Sequence, residues 1–212
     1  MNDTCVVITG LLRDNFIQPL IEMYKEVPHK IISTWKDQPH IDDLRNEGFV
    51  IQLNNYPSYR NCTNYQTVNI REGCLRAKRL GYSYVIRMRT DLICNDMLKF
   101  MNCIDHLYKE RITVLGYIQT SLFYIIDFFI AGPINEMLLV FNEEQKEGDE
   151  RFVEQYWMEE YFNKKDLTLT EIKERIYSCL RVLKDNNIEM EIISKNWGKI
   201  IGKYCEQNII LN

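Results

Sequence analysis

Hydrophobic positions in the first part of the chain alternate between two patterns. Short apolar runs rich in β-branched residues predict strands at TCVVITG (Thr4–Gly10) and at HKIISTW, which ends near Thr34. Each is followed by a segment of helical periodicity, the first from Asp14 to Val27 and the second in IDDLRNEG, which Gly48 ends. FVIQLN predicts a third strand. This region therefore repeats a strand–helix unit.

The middle of the chain continues the alternation. A polar, aromatic loop, NNYPSYRNCTN, leads into a helix predicted from Thr63 to Leu80, and Gly81 ends it. YSYVIRMRTDL is the next strand, Asp96–Glu110 a helix, and RITVLGY and SLFYIIDFFIAG are further strands. Near-continuous apolar strands that alternate with helices are typical of a parallel sheet covered on both faces. We predict an α/β, doubly wound, mostly parallel sheet.

The composition changes after Pro133, and helical patterns become dominant. EEQKEGDERFVEQYWMEEYF is acidic and aromatic, and LTEIKERIYSCLRVLKD predicts one continuous amphipathic helix. EMEIISK predicts a further strand. The length of 212 residues fits a single domain, so we expect one unit with a helical C-terminal part.

Composition and charge exclude several classes of protein. With 46% hydrophobic and 26% charged residues, the chain is an ordinary globular protein. A net charge of −4 argues against a duplex nucleic-acid binder, which needs a basic surface. Seven cysteines without CxxC spacing indicate a reducing compartment. No apolar run reaches the roughly 18 residues of a membrane span, so we expect a cytoplasmic protein whose membrane association, if any, is peripheral.

Charged side chains recur on one face of the strand YSYVIRMRTDL. Successive side chains of a strand point to opposite faces, so Arg87, Arg89 and Asp91 share a face. Open α/β sheets bind ligands beyond the carboxyl ends of their strands, which is where this series leads. A buried guanidinium needs a partner. We therefore expect Arg87 to be paired inside the fold, and Arg89 and Asp91 to face a ligand crevice.

Two interpretations of the three charges stay open at this point. Arginine binds diphosphate bidentately, and aspartate holds a divalent cation against phosphate oxygens. Alternatively, the three side chains form an internal lattice of ion pairs at the sheet edge. The spacing alone favours neither.

Other polar positions follow the strand ends or interrupt apolar runs. Gly10 and Arg13 follow the first strand as a tight turn, although neither G-x-G-x-x-G nor a P-loop is present. Trp35 ends the second strand and either stacks on a base or caps the core. Asp127 interrupts SLFYIIDFFIAG, so its carboxylate is paired, protonated or functional; pairing with Arg87 is the structural explanation. Glu154 and its neighbour Gln155 fit a solvent-facing helix surface or a functional one.

A succession of short motifs resembles a known family. The order ITGLLR, STWK, NYQTVNIREG, YVIRMRTDL, DFFIAG and VEQYW is similar to that of the WavE-type lipopolysaccharide-synthesis glycosyltransferases. The resemblance covers roughly residues 4 to 160. It implies a GT-A-like fold, with a nucleotide-sugar-binding half over residues 1–95 and an acceptor half over residues 96–212.

The resemblance also implies a chemistry for the charged strand. Arg89-Thr90-Asp91 stands where GT-A enzymes carry the Asp-x-Asp that holds Mn²⁺ or Mg²⁺ on the nucleotide diphosphate. This chain has arginine at the first position. Asp91 is therefore the predicted metal ligand, while Arg89 either accompanies the metal or neutralises the phosphate directly.

The function expected from this resemblance is transfer of a sugar from a nucleotide-sugar, first of all a UDP-sugar, to a glycan or other hydroxyl acceptor in polysaccharide biosynthesis. Asp127 is the first candidate for the general base and Glu154 the second. The residues assigned to substrate binding are Gly10, Arg13, Thr34, Trp35, Asn64, Gln66, Asn69, Arg71, Arg89 and Gln155.

Two rival functions remain. A nucleotidyltransferase acting on sugar phosphates shares the sheet and the metal aspartates, but its usual glycine-rich, lysine-bearing first loop is missing here. A non-catalytic nucleotide- or glycan-binding domain is compatible with arginine in the Asp-x-Asp position.

Overall fold

The computed structural model describes residues 3–105, 110–118, 124–166 and 168–193. The first region runs, in order, through β1 (Thr4–Thr9), α1 (Asp14–Tyr24), β2 (Lys30–Trp35), α2 (Ile41–Asn46), β3 (Val50–Asn54), α3 (Cys62–Arg79), β4 (Tyr84–Arg89) and β5 (Leu92–Cys94). The second region runs through α4 (Met97–Asp105), β6 (Ile112–Val114), β7 (Tyr117–Ile118), β8 (Tyr124–Ile125), β9 (Phe129–Pro133), α5 (Ile134–Val140), α6 (Val153–Lys165), α7 (Leu169–Arg175), β10 (Ile176–Ser178), α8 (Leu180–Asp185) and β11 (Met190–Ile192).

In the described part of the chain, seven strands form one mixed, mostly parallel sheet in the order β10-β6-β9-β4-β1-β2-β3. β1 lies parallel to both β2 and β4, and β2 lies parallel to β3. β9 is the exception, because it runs antiparallel to β4 and to β6. The predicted fold class is confirmed, and the sheet is continuous from the β1–β4 region into the β6–β10 region.

Two apolar clusters lie on the opposite faces of this sheet, as expected for strands covered on both sides. One cluster packs β1, β2 and β4 against α1, α4 and α8 through side chains such as Leu20, Phe100 and Leu183. The other packs the same sheet against α3, α5 and α6 through side chains such as Ile70 and Trp157. Fully buried strands have apolar side chains on both faces, which explains the continuous apolar runs in the sequence.

The predicted helix over LTEIKERIYSCLRVLKD is wrong. Its middle three residues form β10, which pairs in parallel with β6 at the sheet edge and separates α7 from α8. Ser178 and Cys179 strengthen this pairing, since the Ser178 hydroxyl donates to the Leu115 carbonyl and the Cys179 amide donates to the Val114 carbonyl. Backbone pairing with an existing strand therefore overrides the local helical pattern.

Two other predicted elements differ from the structure in detail. SLFYIIDFFIAG is not one strand, since Asp127 lies in a turn between β8 and β9, and residues 121–123 lie outside the described residues. The predicted helix Asp96–Glu110 is described as α4 up to Asp105, and residues 106–109 lie outside the described residues. EMEIISK contains β11, which pairs antiparallel with β5.

Within the described ranges, no helix is both long and apolar enough to cross a lipid bilayer.

Candidate functional site

A cavity of about 610 Å³ opens at the carboxyl ends of β1, β2 and β4. β1, β2 and β4 are parallel, so the residues that end them meet at one edge of the sheet. The lining residues are Thr9, Gly10, Leu11, Arg13, Phe16, Trp35, Tyr56, Cys62, Tyr65, Gln66, Asn69, Arg87, Arg89, Thr90 and Asp91.

The position of this cavity follows from the strand order. After β1 the chain adds β2 and β3 on one side, then crosses to the other side of β1 to form β4. The connection after β1 leads to β2 on one side, and the chain after β4 continues toward β6 on the other, so a crevice opens between the turns after β1 and β4. Such a switch point is the usual ligand site of an open α/β sheet.

Gly10 shapes the floor of the cavity. Its φ of +142° is rarely adopted by other residues, and a Cβ atom here would lie 2.4 Å from the Thr90 Oγ1 atom. The Gly10 carbonyl accepts a hydrogen bond of 2.7 Å from the Thr34 hydroxyl. Thr34 is buried and lies outside the described lining, so it holds the turn after β1 instead of contacting the cavity.

An aromatic wall forms the β2 side of the cavity and consists of Trp35, Tyr56 and Tyr65. The Trp35 ring, only 2% exposed, stacks on Tyr56 at 4.6 Å with an interplanar angle of 22°. Tyr65 meets both rings edge-on. The Tyr56 hydroxyl donates to Asp37 at 2.9 Å. Trp35 was assigned to substrate binding from the sequence, whereas Tyr56 was not; Tyr56 comes from the loop NNYPSYRNCTN, whose aromatic content was its only signal.

Arg87 lies at the inner end of the cavity and is 1% exposed. Its guanidinium donates to the Thr9 hydroxyl at 2.9 Å, to the backbone carbonyl of Asp127 at 2.6 Å and to the Gln66 side-chain oxygen at 2.9 Å. Burial lowers the pKa of Arg87 to about 10, which leaves it charged at neutral pH. The predicted internal pairing of Arg87 is confirmed, and Asp127 contributes to it through its backbone carbonyl.

Arg89 and Asp91 form a two-pronged ion pair at the cavity. The Arg89 Nε and Nη2 atoms each donate to a different oxygen of the Asp91 carboxylate, both at 2.9 Å. The two side chains are 23% and 10% exposed. Burial lowers the pKa of Arg89, but the hydrogen bonds and charge of Asp91 outweigh it and raise that pKa overall. Arg89 is therefore a permanent cation in a defined orientation.

The two predicted base candidates lie outside the described lining but close to the arginines. Asp127 is buried in the turn before β9, and its carboxylate interacts electrostatically with both Arg87 and Arg89. Glu154 lies in the first turn of α6. Burial raises the pKa of Glu154, and the neighbouring Asp127 raises it further, while the two arginines oppose the shift. β9 runs antiparallel to β4, which brings its first residues to the same sheet edge.

The remaining predicted substrate-binding residues divide into two groups. Arg13, Gln66 and Asn69 line the cavity, and Asn69 is held there because its side-chain oxygen accepts from Asn54.

Three others lie outside the described lining and have structural partners. Asn64 is buried and exchanges hydrogen bonds with the backbone of Gln145. Arg71 forms an ion pair with Glu144, and Gln155 donates to Glu159. Their predicted substrate contacts stay predictions.

The described residues do not by themselves form a complete site for a divalent cation. Both oxygens of Asp91, the only carboxylate of the described lining, already accept hydrogen bonds from Arg89. In the described part of the chain, no group of three or more His, Cys, Asp or Glu side chains is placed to hold a metal ion. The predicted Mn²⁺ or Mg²⁺ stays a prediction, without support from this donor set.

Thr9, Thr90, Cys62 and Tyr65 also line the cavity and were not predicted from the sequence. Thr9 and Thr90 flank predicted residues at the strand ends, so a search extended by one position along β1 and β4 would have found both. Nothing in the sequence pattern distinguishes Cys62 or Tyr65 from other residues at the start of α3.

Solved structures of other proteins share this fold, and two of them superpose on most of this chain. A candidate nucleotide-diphospho-sugar transferase from Desulfovibrio desulfuricans G20 superposes with a TM-score of 0.52 over 98% of this chain and 96% of its own, at 10% sequence identity. A nucleotidyl transferase from Methanothermobacter superposes with a TM-score of 0.50 over 84% of this chain and 87% of its own, at 12% identity. The sequence matches no protein-family model and no curated protein. The chain has the fold of nucleotide-diphospho-sugar transferases, a fold that nucleotidyl transferases share.

Proposed function

We propose that the protein transfers a sugar from a nucleotide-diphosphate sugar, a UDP-sugar in the first instance, to a hydroxyl group of a glycan acceptor. The observation that carries this proposal is the composition of the cavity at the switch point of the sheet. One end carries arginines and the other end is an aromatic wall. A nucleotide-sugar has the matching parts, a diphosphate joined to a flat base.

The cationic end suits the diphosphate. Arg89 and Arg87 occupy defined positions, because each guanidinium is held by hydrogen bonds to the protein. Positive groups that need no rearrangement stabilise the charge that develops on a departing diphosphate. The aromatic wall of Trp35, Tyr56 and Tyr65 suits a base or a sugar ring, which binds aromatic side chains through stacking and apolar contact.

The reaction forms one bond and breaks one. The acceptor oxygen bonds to the anomeric carbon of the donor sugar, and the bond from that carbon to the diphosphate breaks. The hydroxyl proton passes to a carboxylate, for which Asp127 and Glu154 are the candidates. A raised pKa, such as that of Glu154, brings a carboxylate closer to the operating pH and makes it a better base. The acceptor would approach from the side of α6 and the β8–β9 turn.

Binding and transfer assays test the proposal. The protein is first screened by thermal shift against UDP, GDP, CDP and ADP and their sugar derivatives, since a ligand of the native state raises the melting temperature. Transfer and hydrolysis of the stabilising nucleotide-sugar are then measured with and without Mn²⁺. We expect stabilisation by a UDP-sugar and release of UDP. No shift with any nucleotide, and no released nucleoside diphosphate, would contradict the proposal.

Variants of the candidate bases separate catalysis from structure. Asp127→Asn and Glu154→Gln each preserve shape while removing the charge. The one that is the base should lower the transfer rate by about 10²- to 10⁴-fold, with UDP binding nearly unchanged. Loss of both UDP binding and transfer in Asp127→Asn would instead assign this side chain to the support of the arginines.

The rival function is nucleotidyl transfer to a sugar phosphate, which the shared fold with the nucleotidyl transferase from Methanothermobacter keeps as a candidate. It predicts a different product. Incubation with UTP and a sugar 1-phosphate would release pyrophosphate and form a UDP-sugar. Pyrophosphate release without transfer from a UDP-sugar would favour this rival.

A further inference from the structure

The ion pair of Arg89 and Asp91 stands where the resemblance to glycosyltransferases places two metal-binding aspartates. We propose that Arg89, oriented by Asp91, supplies the positive charge for the diphosphate, and that the cavity binds the diphosphate without a divalent cation. This inference rests on the proposed function and specifies how the same cavity recognises its substrate.

The Asp91 carboxylate is already paired with a cation of the protein, the Arg89 guanidinium. Its two carboxylate oxygens accept separate hydrogen bonds from Arg89 at 2.9 Å, so a metal ion at Asp91 would have to share the carboxylate with the guanidinium, a second cation at close range, or displace it. Arg89 is only 23% exposed, and separating it from Asp91 there would leave a partly buried cation without its counter-charge. Metal binding at Asp91 therefore carries the cost of weakening or opening this pair.

The Arg89 guanidinium uses only one of its edges to bind Asp91. Nε and Nη2 donate to Asp91, whereas Nη1 has no hydrogen-bond acceptor among the described residues, and the side chain lines the cavity. A guanidinium is a planar fork that can hold a carboxylate on one edge and a phosphate on the other. Asp91 fixes the plane of the fork, and the remaining N–H groups are available to phosphate oxygens.

The charge of the cavity lining also favours a diphosphate bound without a metal ion. Its described lining contains three arginines (Arg13, Arg87 and Arg89) and one aspartate (Asp91), an excess of two positive charges, which the Asp127 carboxylate outside this lining offsets in part. A diphosphate bridge carries one negative charge on each phosphate. The arginines therefore already compensate the ligand. A divalent cation among them would add charge of the same sign in a confined space, where repulsion is only weakly screened.

A metal-free binding experiment tests this inference. The full chain is treated with EDTA and dialysed, and the binding of UDP and of pyrophosphate is measured by calorimetry, without metal and with Mn²⁺ or Mg²⁺. We expect both probes to bind without metal, with dissociation constants within about threefold of those with metal. Arg89→Met should weaken both by about tenfold or more, because it removes a charge-assisted contact. Arg89→Lys should lie between, since it keeps the charge but not the fork.

Arg45→Met is the matched control. Arg45 is also an arginine paired with an aspartate, Asp42, but it lies on the exposed surface of α2 outside the described lining. Its loss should leave the binding of both probes unchanged. A thermal melt of each variant checks that it is folded, and Arg89→Lys provides the test if Arg89→Met does not fold.

The outcomes separate this inference from the proposed function. If UDP binds only with Mn²⁺ and Asp91→Asn removes that enhancement, the inference is wrong while the proposed function stands. If pyrophosphate binds without metal in an Arg89-dependent way but no nucleotide binds more tightly than pyrophosphate, the arginine site stands and the proposed function is wrong. Metal-free UDP binding that Arg89→Met leaves unchanged would also overturn the inference.

Discussion

Arg87 and Arg89 lie two positions apart on β4, but their surroundings differ. Arg87 is buried and held by neutral groups, namely the Thr9 hydroxyl, the Asp127 backbone carbonyl and the Gln66 amide. Arg89 is partly exposed and held by a full negative charge, that of Asp91. The Arg87 guanidinium donates hydrogen bonds to oxygens of the interior. The Arg89 guanidinium donates to its counter-ion through one edge, and its side chain lines the cavity.

The difference predicts that the two arginines of β4 have different roles, Arg87 in stability and Arg89 in ligand binding. The buried neutral groups that accept hydrogen bonds from Arg87 lose their donor when Arg87 is removed, so its removal should destabilise the fold. Asp91 lines the cavity but is only 10% exposed, so removal of Arg89 should affect the ligand and also cost some stability, though less than removal of Arg87.

Arg87→Met should destabilise the protein by about 3 kcal/mol or more, because a buried hydroxyl, a buried carbonyl and an amide oxygen lose their donor together. The measurement is the free energy of unfolding in a denaturant titration. Arg87→Lys serves as a comparison, since it keeps the charge but cannot reach all three acceptors, and it should recover only part of the loss. A loss below about 1 kcal/mol in Arg87→Met would mean that Arg87 is not an interior support.

Gly10→Ala should destabilise the protein by about 2 kcal/mol, since the new Cβ atom would lie 2.4 Å from the Thr90 Oγ1 atom at a φ of +142°. Thr90→Ala removes the clashing oxygen. The double variant should therefore recover part of the stability lost in Gly10→Ala, which a double-mutant cycle in denaturant measures. Additive losses would show that the backbone conformation alone, and not the approach of the turns after β1 and β4, requires glycine.

Arg89→Met should lower the free energy of unfolding by about 1 to 2 kcal/mol, less than Arg87→Met, because the Asp91 carboxylate is only 10% exposed and loses two hydrogen-bond donors, but borders the cavity. Unfolding in denaturant is compared with that of Arg45→Met, the exposed control. A modest loss of stability together with a large change in UDP binding is the pattern expected for the cavity end of β4. A loss as large as that of Arg87→Met would remove the distinction between the two arginines.

His40 is a titratable cation, in contrast to the arginines, which are permanently charged. Its ring contacts Asp14 at 2.8 Å and Asp43 at 3.1 Å, and these hydrogen bonds, that of Asp14 first, raise the pKa of His40. The pairs link the start of α1 to the start of α2. A pKa raised by folding contributes stability that is fully present below the unfolded value of about 6.5 and disappears as pH rises through the folded value.

His40→Gln should therefore lower the melting temperature more at pH 5.5 than at pH 8.5, although the effect is small because the site is exposed. Melting curves of both proteins at the two pH values measure it. Asp14→Asn should reduce the same pH dependence, since it removes the larger cause of the shift. An equal loss at both pH values would mean that the charge of His40 contributes nothing.

The sequence allowed most of the first region to be predicted. β1, β2, β3 and β4, and the long helix α3, were predicted from apolar runs, helical periodicity and end signals such as Gly81. The Asn61 side chain, which caps α3 by accepting from the Asn64 amide, was not recognised as the start signal. These features are local. The alternation of strand side chains also placed Arg89 and Asp91 toward the edge where the cavity opens, because β4 is parallel to β1.

The second region was predicted less well, since its elements depend on contacts distant in sequence. An apolar run does not reveal its direction, so the antiparallel course of β9 was not foreseen. The segment that became α7, β10 and α8 has a helical pattern, but its middle residues pair with β6. The free energy of completing a sheet edge is greater than the small difference in local propensity.

By itself, the sequence determined that the protein is an α/β sheet protein and that Gly10, Trp35, Arg87, Arg89 and Asp91 converge at the carboxyl ends of its strands, since periodicity and chain order carry this information. Only the tertiary structure decided what these residues do to one another. It placed Arg87 among neutral oxygens, joined both oxygens of Asp91 to Arg89 and added Tyr56 to the cavity wall. Such pairings depend on distances between side chains from separate elements, which a local pattern does not contain.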